Sequence, residues 1–300
     1  MAHYPESAGV RAIASGPTHT IRCLTLDGQS RCVRGLFHSL HSGRIADSGT
    51  QYTLEITNVT MAPDGVARTL QVFNGQYPGP PIIADWGDMI EVTVFNKLQG
   101  NGTSVHWHGF RQVGSNEMDG VNGITECPLA PGQSRVYRFR ATEHGTSWYH
   151  SHYSVQYADG LLGPIIINGP ATANYDIDLG ALPLTDWFHT TSFALLHANL
   201  SGPPLAQNIL VNGTGVYKGK GEFAQVTLTP GKKHRLRLLN TGVNQYIHVS
   251  LDNHPFTVIA ADFVPIRPFV TKSLNIAVGT WIVNGVLSHS KANNPYRSAL

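Results

Sequence analysis

Short segments rich in β-branched and aromatic residues follow one another along most of this chain and constrain its fold more than any other feature. From Gln51 onward, segments such as YTLEITNVT, MIEVTVFNKL and SRVYRFRA often alternate polar and apolar residues and are separated by Gly, Pro, Asn and Asp. Alternation with a period of two is typical of half-buried strands, and the separating residues favour turns. Only residues 188–198 allow a short helix. The pattern predicts an all-β sandwich or barrel.

An internal repeat indicates that the chain contains two related β-domains. Gly87 opens the strand-like segment GDMIEVTVFN, and Gly231 opens the similar segment GKKHRLRLLN. Each segment runs nine steps to an asparagine, at Asn96 and Asn240 respectively. We expect the boundary between the two domains near residue 170, where a strand-like segment ends in NGP.

The chain divides into four stretches on this pattern. The first stretch mixes Gly, Ser, His and Arg without periodicity, which predicts a poorly ordered leader. The predicted divisions are the leader at 1–47, domain 1 at 48–170, domain 2 at 171–279 and a tail at 280–300.

The charge composition argues against partners that bind through a strong electrostatic field. Charged residues make up 13% of the chain, and the formal net charge is only +2. The basic run KKHRLR at 232–237 alternates with apolar residues from Arg235 onward, which is typical of the exposed face of a strand. We therefore expect no nucleic-acid partner. No apolar run is long enough to span a bilayer, so no membrane partner is expected.

The residues give conflicting indications of the compartment. N-x-[ST] sequons matter only in a secreted protein, whereas the first 25 residues lack the apolar core of a secretory signal. The compartment is therefore open on the residues alone. The sequon asparagines are Asn58, Asn101, Asn199 and Asn212.

The three cysteines are an odd number, so not all of them can pair within the chain. Cys23 and Cys32 are close enough in sequence to close a small loop, while Cys127 has no evident partner. The simplest interpretation is one disulfide and one free thiol.

Two histidine pairs of the form H-x-H stand in the strand-like segments SVHWHGF and SWYHSHY. Because residues two apart on a strand point to the same face, His106 and His108 share a face, and so do His150 and His152, so four imidazoles from two neighbouring strands could converge at one place. Imidazole is a ligand for copper, zinc, nickel and iron. A single such pair is more often a surface or core feature. Two pairs framed by aromatic residues and glycine favour a transition-metal site.

Three motifs resemble the first domain of the laccase-type multicopper oxidases, especially those of filamentous fungi. They are HWHGF, MDGVNGITECPLAPG and GTSWYHSHYSVQYADGLLGPIIINGP, and the similarity extends from about Ser48 to Gly279. The resemblance implies two cupredoxin-like Greek-key sandwiches in tandem, the second incomplete. It also implies an extracellular, glycosylated enzyme that oxidises phenols or aromatic amines and reduces dioxygen to water.

The resemblance also implies that the histidines bind copper. By motif position, His106 would bind the type-2 copper, whereas His108, His150 and His152 would bind the type-3 pair of a three-copper cluster. Asp119, in MDG, matches an acid that helps to deliver protons to that cluster. The alternative is that Asp119 is a turn residue, since Asp-Gly favours turns. Both tryptophans of the motifs, Trp107 and Trp148, are expected to point away from the metal.

The chain departs from the family in features that turnover requires. In the family, electrons enter at a blue copper held by two His and one Cys on a third cupredoxin domain, and no His-Cys-His motif occurs here. The resemblance implies that Cys127 pairs with a C-terminal part of the related enzymes. After SLNIAVG, the tail diverges from the family, and our hypothesis is an unspliced intron or a frameshift. We predict that this chain alone is inactive and that turnover needs the third domain.

Two alternatives remain open at this point. The first is a non-catalytic copper-binding fragment, because four imidazoles can hold metal without a route for electrons. The second is a zinc or cupin-like H-x-H protein. The chain also differs at Asn244, where enzymes of this kind often carry an acid that hydrogen-bonds the phenol.

Overall fold

The computed structural model describes residues 9–15, 19–24, 49–252, 254–279 and 281–288, with only the backbone described at 9–15, 19–24 and 281–288. Nearly all of its elements are strands. In chain order they are β1 (Gly9–Ser15), β2 (His19–Leu24), β3 (Thr50–Met61), β4 (Arg68–Phe73), β5 (Ile82–Asp85), β6 (Met89–Asn96), β7 (Val105–Trp107), β8 (Ser134–Arg140), β9 (Gly145–Ser151), β10 (Leu162–Asn168), β11 (Ile177–Trp187), β12 (Asn208–Val211), β13 (Val216–Tyr217), β14 (Lys220–Gly221), β15 (Gln225–Leu228), β16 (Lys233–Asn240), β17 (Ile247–Leu251), β18 (Phe256–Ala261), β19 (Val264–Thr271), β20 (Ser273–Ile276) and β21 (Trp281–Ser288).

Helical structure is sparse. The helix α1 (Ser192–Leu196) lies within the stretch 188–198, where the sequence allows a short helix. Single 3-10 turns occur at Asn116–Met118 and Gln156–Asp159. Within the described ranges, no helix combines the length and apolar composition needed to cross a bilayer.

Domain 1 is a sandwich of two four-stranded sheets, with strand orders β4-β3-β6-β8 and β5-β10-β9-β7. Every second residue of β6 is buried, as the alternation in its sequence predicts. Side chains from both sheets, among them Leu54 and Val92 from the first and Ile165 and Tyr149 from the second, form one buried cluster. Its burial accounts for the packing of the two sheets face to face. The predicted all-β, cupredoxin-like fold is confirmed.

Domain 2 is built in the same way from a six-stranded sheet, β12-β11-β16-β21-β18-β19, and a five-stranded sheet, β15-β2-β1-β17-β20. Leu236 and Leu238 of β16 pack with Ile247 of β17 in its core. β10 ends at Asn168 and β11 begins at Ile177, so the sheets change partners across the stretch where the boundary is predicted.

Both ends of the chain contribute strands to the sheets of domain 2, and the division into leader, domains and tail stays a prediction. From the predicted leader at 1–47, β1 and β2 lie between β15 and β17. From the predicted tail at 280–300, β21 lies between β16 and β18. In each case the strand gives hydrogen-bond partners to two neighbours that would otherwise be sheet edges, which local sequence does not reveal. The incompleteness of the second sandwich stays a prediction, and Cys32 lies outside the described residues.

Buried polar contacts join the two domains. Asp64, which is fully buried in domain 1, accepts a hydrogen bond from Asn208 and contacts Nε2 of His189 at 2.8 Å. The guanidinium of Arg68 lies 4.1 Å from the ring centroid of Trp187 in domain 2. Because such groups must be paired to be buried, these contacts favour one defined arrangement of the two domains.

Candidate metal centre

Strands β7 and β9 position the two histidine pairs at one edge of domain 1. They pair antiparallel, and His106 lies directly opposite His150 in the ladder. Because directly opposed residues point to the same face of a sheet, these two imidazoles meet on one side. The pairing continues one step beyond β7, where the His108 N–H donates to the Trp148 carbonyl at 3.1 Å.

The structure brings all four predicted histidines together. The ring centroid of His106 lies 5.7 Å from that of His108 and 5.4 Å from those of His150 and His152. One nitrogen each from His106, His108 and His150 forms a group in which all pairs lie within 4.8 Å. His152 follows the end of β9 and is exposed, and its ring nitrogens are not part of this group of three.

Burial keeps these imidazoles in their neutral, metal-binding form. It lowers the pKa of His108 to about 4 and holds the pKa of His150 well below its ordinary value. Burial also lowers the pKa of His106, against the opposing effect of its hydrogen bond to Asp119. A neutral imidazole has a lone pair on one nitrogen, which is what a metal ion requires.

Backbone carbonyls determine which nitrogen of each ring is available. Nδ1 of His106 donates to the carbonyl of Asp119 at 2.8 Å, and Nδ1 of His150 donates to the carbonyl of Ser151 at 2.9 Å. A carbonyl only accepts, so each Nδ1 carries the proton and each Nε2 carries the lone pair. This arrangement is common for metal-ligating histidines, because it fixes the orientation of the ring.

The donor set fits a copper ion. Nδ1 of His108 lies 3.1 Å from Nε2 of His150. Two imidazole nitrogens about 2 Å from one ion, at tetrahedral angles, are roughly 3.3 Å apart, so the observed separation matches shared coordination. Imidazole ligands suit copper, zinc, nickel and iron, whereas carboxylates dominate calcium and magnesium sites.

Asp119 contacts His106 with two different atoms. Its carbonyl accepts the Nδ1 hydrogen, and its carboxylate Oδ1 lies 3.4 Å from the same nitrogen. The Asp119 side chain is 25% exposed, so the carboxylate connects the imidazole with solvent. The residue also follows the 3-10 turn and donates its N–H to Asn116, so the turn alternative applies as well.

Gly120 permits this close approach, a role that the sequence did not reveal. Its φ of +76° lies in the left-handed region, and a Cβ at this position would fall 1.7 Å from the carbonyl oxygen of Val105. The backbone after Asp119 therefore lies directly against β7. The only available signal was the Asp-Gly pair itself, which fits many turns.

The two tryptophans behave differently. Trp107 points away from the histidines into the core of domain 1, as predicted, and its Nε1 donates to the carbonyl of Met118 at 3.0 Å. The same expectation for Trp148 was wrong. Trp148 and His150 are two residues apart on β9 and so share a face. The Trp148 ring lies 4.2 Å from that of His150 and 5.3 Å from that of His108.

Asn244 lies in domain 2, on a loop held by a buried carboxylate. The side chain of Asp186 accepts the backbone N–H groups of Val243, Asn244 and Gln245 at 2.8 to 3.0 Å. The amide nitrogen of the exposed Asn244 side chain is 3.4 Å from the carbonyl oxygen of Pro204. Among the side chains that the structure describes, the exposed Cys127 has no disulfide partner.

Comparison with known proteins supports the interpretation of the motifs. Residues 55–172 and residues 178–283 each match a multicopper oxidase sequence family. The chain is 54% identical over 232 residues to the laccase of Neurospora crassa and 50% identical over 240 residues to laccase-2 of Botryotinia fuckeliana. Each match covers 76% of this chain, and the chain spans only 38% and 41% of the length of those relatives.

A solved structure gives the same result. The laccase of Botrytis aclada superposes with a TM-score of 0.79 at 46% sequence identity, over 82% of this chain and 48% of that one. The resemblance inferred from the motifs is therefore confirmed, and the alternative of a non-catalytic copper-binding fragment is not favoured. Copper is the cofactor of this family. The chain belongs to the multicopper oxidases and is of the fungal laccase type.

Proposed function

We propose that this chain supplies one half of the dioxygen-reducing copper site of a laccase-like oxidase. The reaction is the oxidation of phenols or aromatic amines, coupled to the reduction of dioxygen to water. The observation that carries the proposal is the group of three imidazole nitrogens within 4.8 Å of one another. Backbone carbonyls orient two of these rings. Histidines that cluster on a surface by chance would not have their rings oriented by backbone carbonyls.

The four histidines divide the copper ligands as their positions in the motifs imply. His106 is the ligand for type-2 copper, and His108, His150 and His152 are ligands for the type-3 pair. Bound copper supplies the one-electron redox chemistry through which dioxygen is reduced. The chain itself holds the imidazoles of His106, His108 and His150 neutral, directs Nε2 of His106 and His150 toward the metal, and keeps the site partly buried.

Asp119 is proposed to hold and transfer a proton. Reduction of dioxygen to water consumes protons, and a carboxylate between a ligand and solvent can relay them. The position of Oδ1, 3.4 Å from Nδ1 of His106, and the 25% exposure of the side chain support this role. The carbonyl of Asp119 independently orients His106, so the side chain is free for proton exchange.

Electrons are proposed to reach the site from a third cupredoxin domain that bears a blue copper. The three cysteines of this sequence stand in RCL, RCV and ECP, none of which has the neighbouring histidines of a blue-copper motif. Turnover by these residues alone is therefore not expected. A non-catalytic copper-binding role remains as an outcome of the test below.

The proposed location is extracellular. Each of the four sequon asparagines is exposed, which is what glycosylation in a secretory pathway needs. Secretion from a filamentous-fungal host, followed by glycosidase treatment, should give a fall in mass. A protein that carries no glycan after secretion would contradict the glycosylated form. The asparagines are Asn58, Asn101, Asn199 and Asn212.

A chimera tests the proposed function. The chain is joined to the C-terminal domain of the Neurospora crassa laccase, loaded with copper, and assayed for oxygen uptake with a dimethoxyphenol. We expect uptake by the chimera, none by the chain alone, and none by the chimera with His150→Ala. Uptake by the chain alone, or undiminished uptake by the His150→Ala chimera, would contradict the proposal. A folded, copper-loaded chimera without uptake would favour the non-catalytic role.

A further inference from the structure

Strand β9 carries His150 and is buried on both faces. All seven of its residues are buried, from Gly145 to Ser151. The two faces meet different surroundings, because successive side chains alternate. Tyr149 lies in the core of domain 1, whereas Trp148 lies in a separate buried cluster with Leu239 and Ala260 of domain 2. One face of β9, the strand that carries His150, therefore packs against domain 2.

Two residues of β16 in domain 2 contact two residues on this face of β9. Arg237 is 1% exposed, and its Nη1 donates to Oγ1 of Thr146 at 2.6 Å. Asp178 holds the same guanidinium through Nε and Nη2, with a shortest distance of 2.6 Å. Two residues further along each strand, Leu239 packs in the cluster that contains Trp148. These two contacts, two residues apart on each strand, fix the position of β16 relative to β9.

Trp148 connects this interdomain surface with the metal ligands. Its ring is inclined by 30° to the ring of His150 and by 27° to that of His108, so it lies roughly parallel to both. Within the described residues, its buried Nε1 has no hydrogen-bond partner. The side chain therefore acts on the two imidazoles through its ring face and not through a polar contact.

We propose that domain 2 controls the copper affinity of the domain 1 histidines through Trp148. In this arrangement, Leu239 and Ala260 hold the indole, and the indole holds the rings of His108 and His150 in the orientation that binds metal. Trp148 is then a positioning residue that touches neither substrate nor dioxygen. The inference rests on the proposed function, because it concerns the same copper site.

The first test compares two neighbouring leucines of β16. Leu239 faces Trp148, whereas Leu238 points to the opposite side and packs in the core of domain 2. Both are buried, so Leu239→Ala and Leu238→Ala should both destabilise the protein by creating a cavity. Only Leu239→Ala should weaken Cu(I) binding, by about tenfold, as is typical when a residue that orients metal ligands is lost. Affinity is measured by competition with a chelator, and stability by urea unfolding.

The second test replaces the indole itself. Trp148→Phe keeps a smaller aromatic face and loses one ring of the indole together with its N–H, so we expect copper affinity close to that of the unmodified chain. Trp148→Leu removes the aromatic face and should weaken copper binding about tenfold. The electron paramagnetic resonance spectrum of bound Cu(II) should change in Trp148→Leu and should resemble that of the unmodified chain in Trp148→Phe. A merely structural role for Trp148 would alter stability and leave this spectrum unchanged.

The possible results separate this inference from the proposed function. An unmodified chain that binds no copper would contradict both. An unmodified chain that binds copper, with equal affinity in Leu239→Ala and Leu238→Ala, would contradict the interdomain control alone. Equal affinities and spectra in Trp148→Leu and Trp148→Phe would likewise overturn the role of Trp148.

Discussion

His106 and His150 face each other as a directly opposed pair across β7 and β9, with ring centroids 5.4 Å apart. The metal centre therefore depends on the register of these two strands. A slip of one residue would turn His106 to the other face of the sheet. The pairing of Trp107 with Tyr149, two large residues buried in the core of domain 1, fixes this register.

Replacement of Gly120 should disrupt copper binding more than replacement of the neighbouring acid. In Gly120→Ala, the added methyl would collide with the carbonyl of Val105, so the Asp119 carbonyl must move away from His106. We expect copper affinity to fall by about tenfold or more. In Asp119→Ala the carbonyl remains, so affinity should change little. Competition with a chelator measures both.

The control for this comparison is Gly114→Ala. Gly114 also has a positive φ, of +72°, but nothing lies within 4 Å of the added Cβ. It reproduces the backbone strain without the collision. Equal copper affinities in Gly120→Ala and Gly114→Ala would show that the Asp119 carbonyl does not orient His106.

Loss of the buried ion pair between Arg68 and Asp159 should strongly reduce stability. The pair has an N···O distance of 3.0 Å, and the two side chains are 4% and 6% exposed. Asp159 also accepts the N–H of Ser192 from domain 2 at 2.7 Å. Because Asp159→Ala leaves a buried charge without its partner, we expect the free energy of unfolding to fall by about 3 to 5 kcal/mol.

An exposed ion pair provides the comparison. Nζ of Lys97 lies 2.6 Å from Oε1 of Glu55, and the two side chains are 49% and 44% exposed. Solvent screens this pair, so Glu55→Ala should cost less than about 1 kcal/mol. Urea unfolding of both variants measures the difference. Similar losses in the two variants would contradict the structural importance of the Arg68–Asp159 pair.

Alkaline pH should destabilise the protein through Tyr77. Burial raises the pKa of Tyr77 to about 12 from its ordinary value of 10.0, although its hydrogen bond to Thr185 acts in the opposite direction. Below pH 10.0, the side chain is neutral in the folded and unfolded states, so its contribution is fully present. Between pH 10.0 and about 12, only the unfolded state releases the proton, and stability falls.

A phenylalanine variant isolates this contribution. Tyr77→Phe cannot ionise, so it should lose about 2 kcal/mol less than the unmodified chain between these pH values. The exposed Tyr246 serves as the control, and Tyr246→Phe should follow the unmodified chain. Free energies of unfolding at each pH provide the measurement. Parallel pH profiles for Tyr77→Phe and the unmodified chain would contradict the prediction.

The sequence predicted the parts of the molecule that local periodicity controls. Alternation identified the strands, and the two-residue repeat placed His106 with His108 and His150 with His152. The same two-residue repeat also places Trp148 on the face of His150. The expectation for Trp148 was wrong because tryptophan was expected to pack away from a metal. The copper roles of the histidines and the proton-transfer role of Asp119 stay predictions.

Features that depend on distant partners were not predictable from local sequence. GVRAIAS and HTIRCL become strands because β15 and β17 offer edges on either side. Trp281–Ser288 becomes a strand because it fits between β16 and β18. The constraint on Gly120 likewise arises from the carbonyl of Val105, fifteen residues earlier in the chain.

The most direct test is copper retention by the purified chain. The chain and its alanine variants are reconstituted with Cu(I) under reducing conditions, dialysed against a weak chelator, and analysed for bound metal. His197→Ala is the control, because His197 is exposed and its Nδ1 bonds to the carbonyl of Phe193. We predict that the chain and His197→Ala retain copper and that His106→Ala, His108→Ala and His150→Ala lose most of it. Absence of copper from the unmodified chain, or equal retention by all these variants, would contradict a metal centre at these histidines.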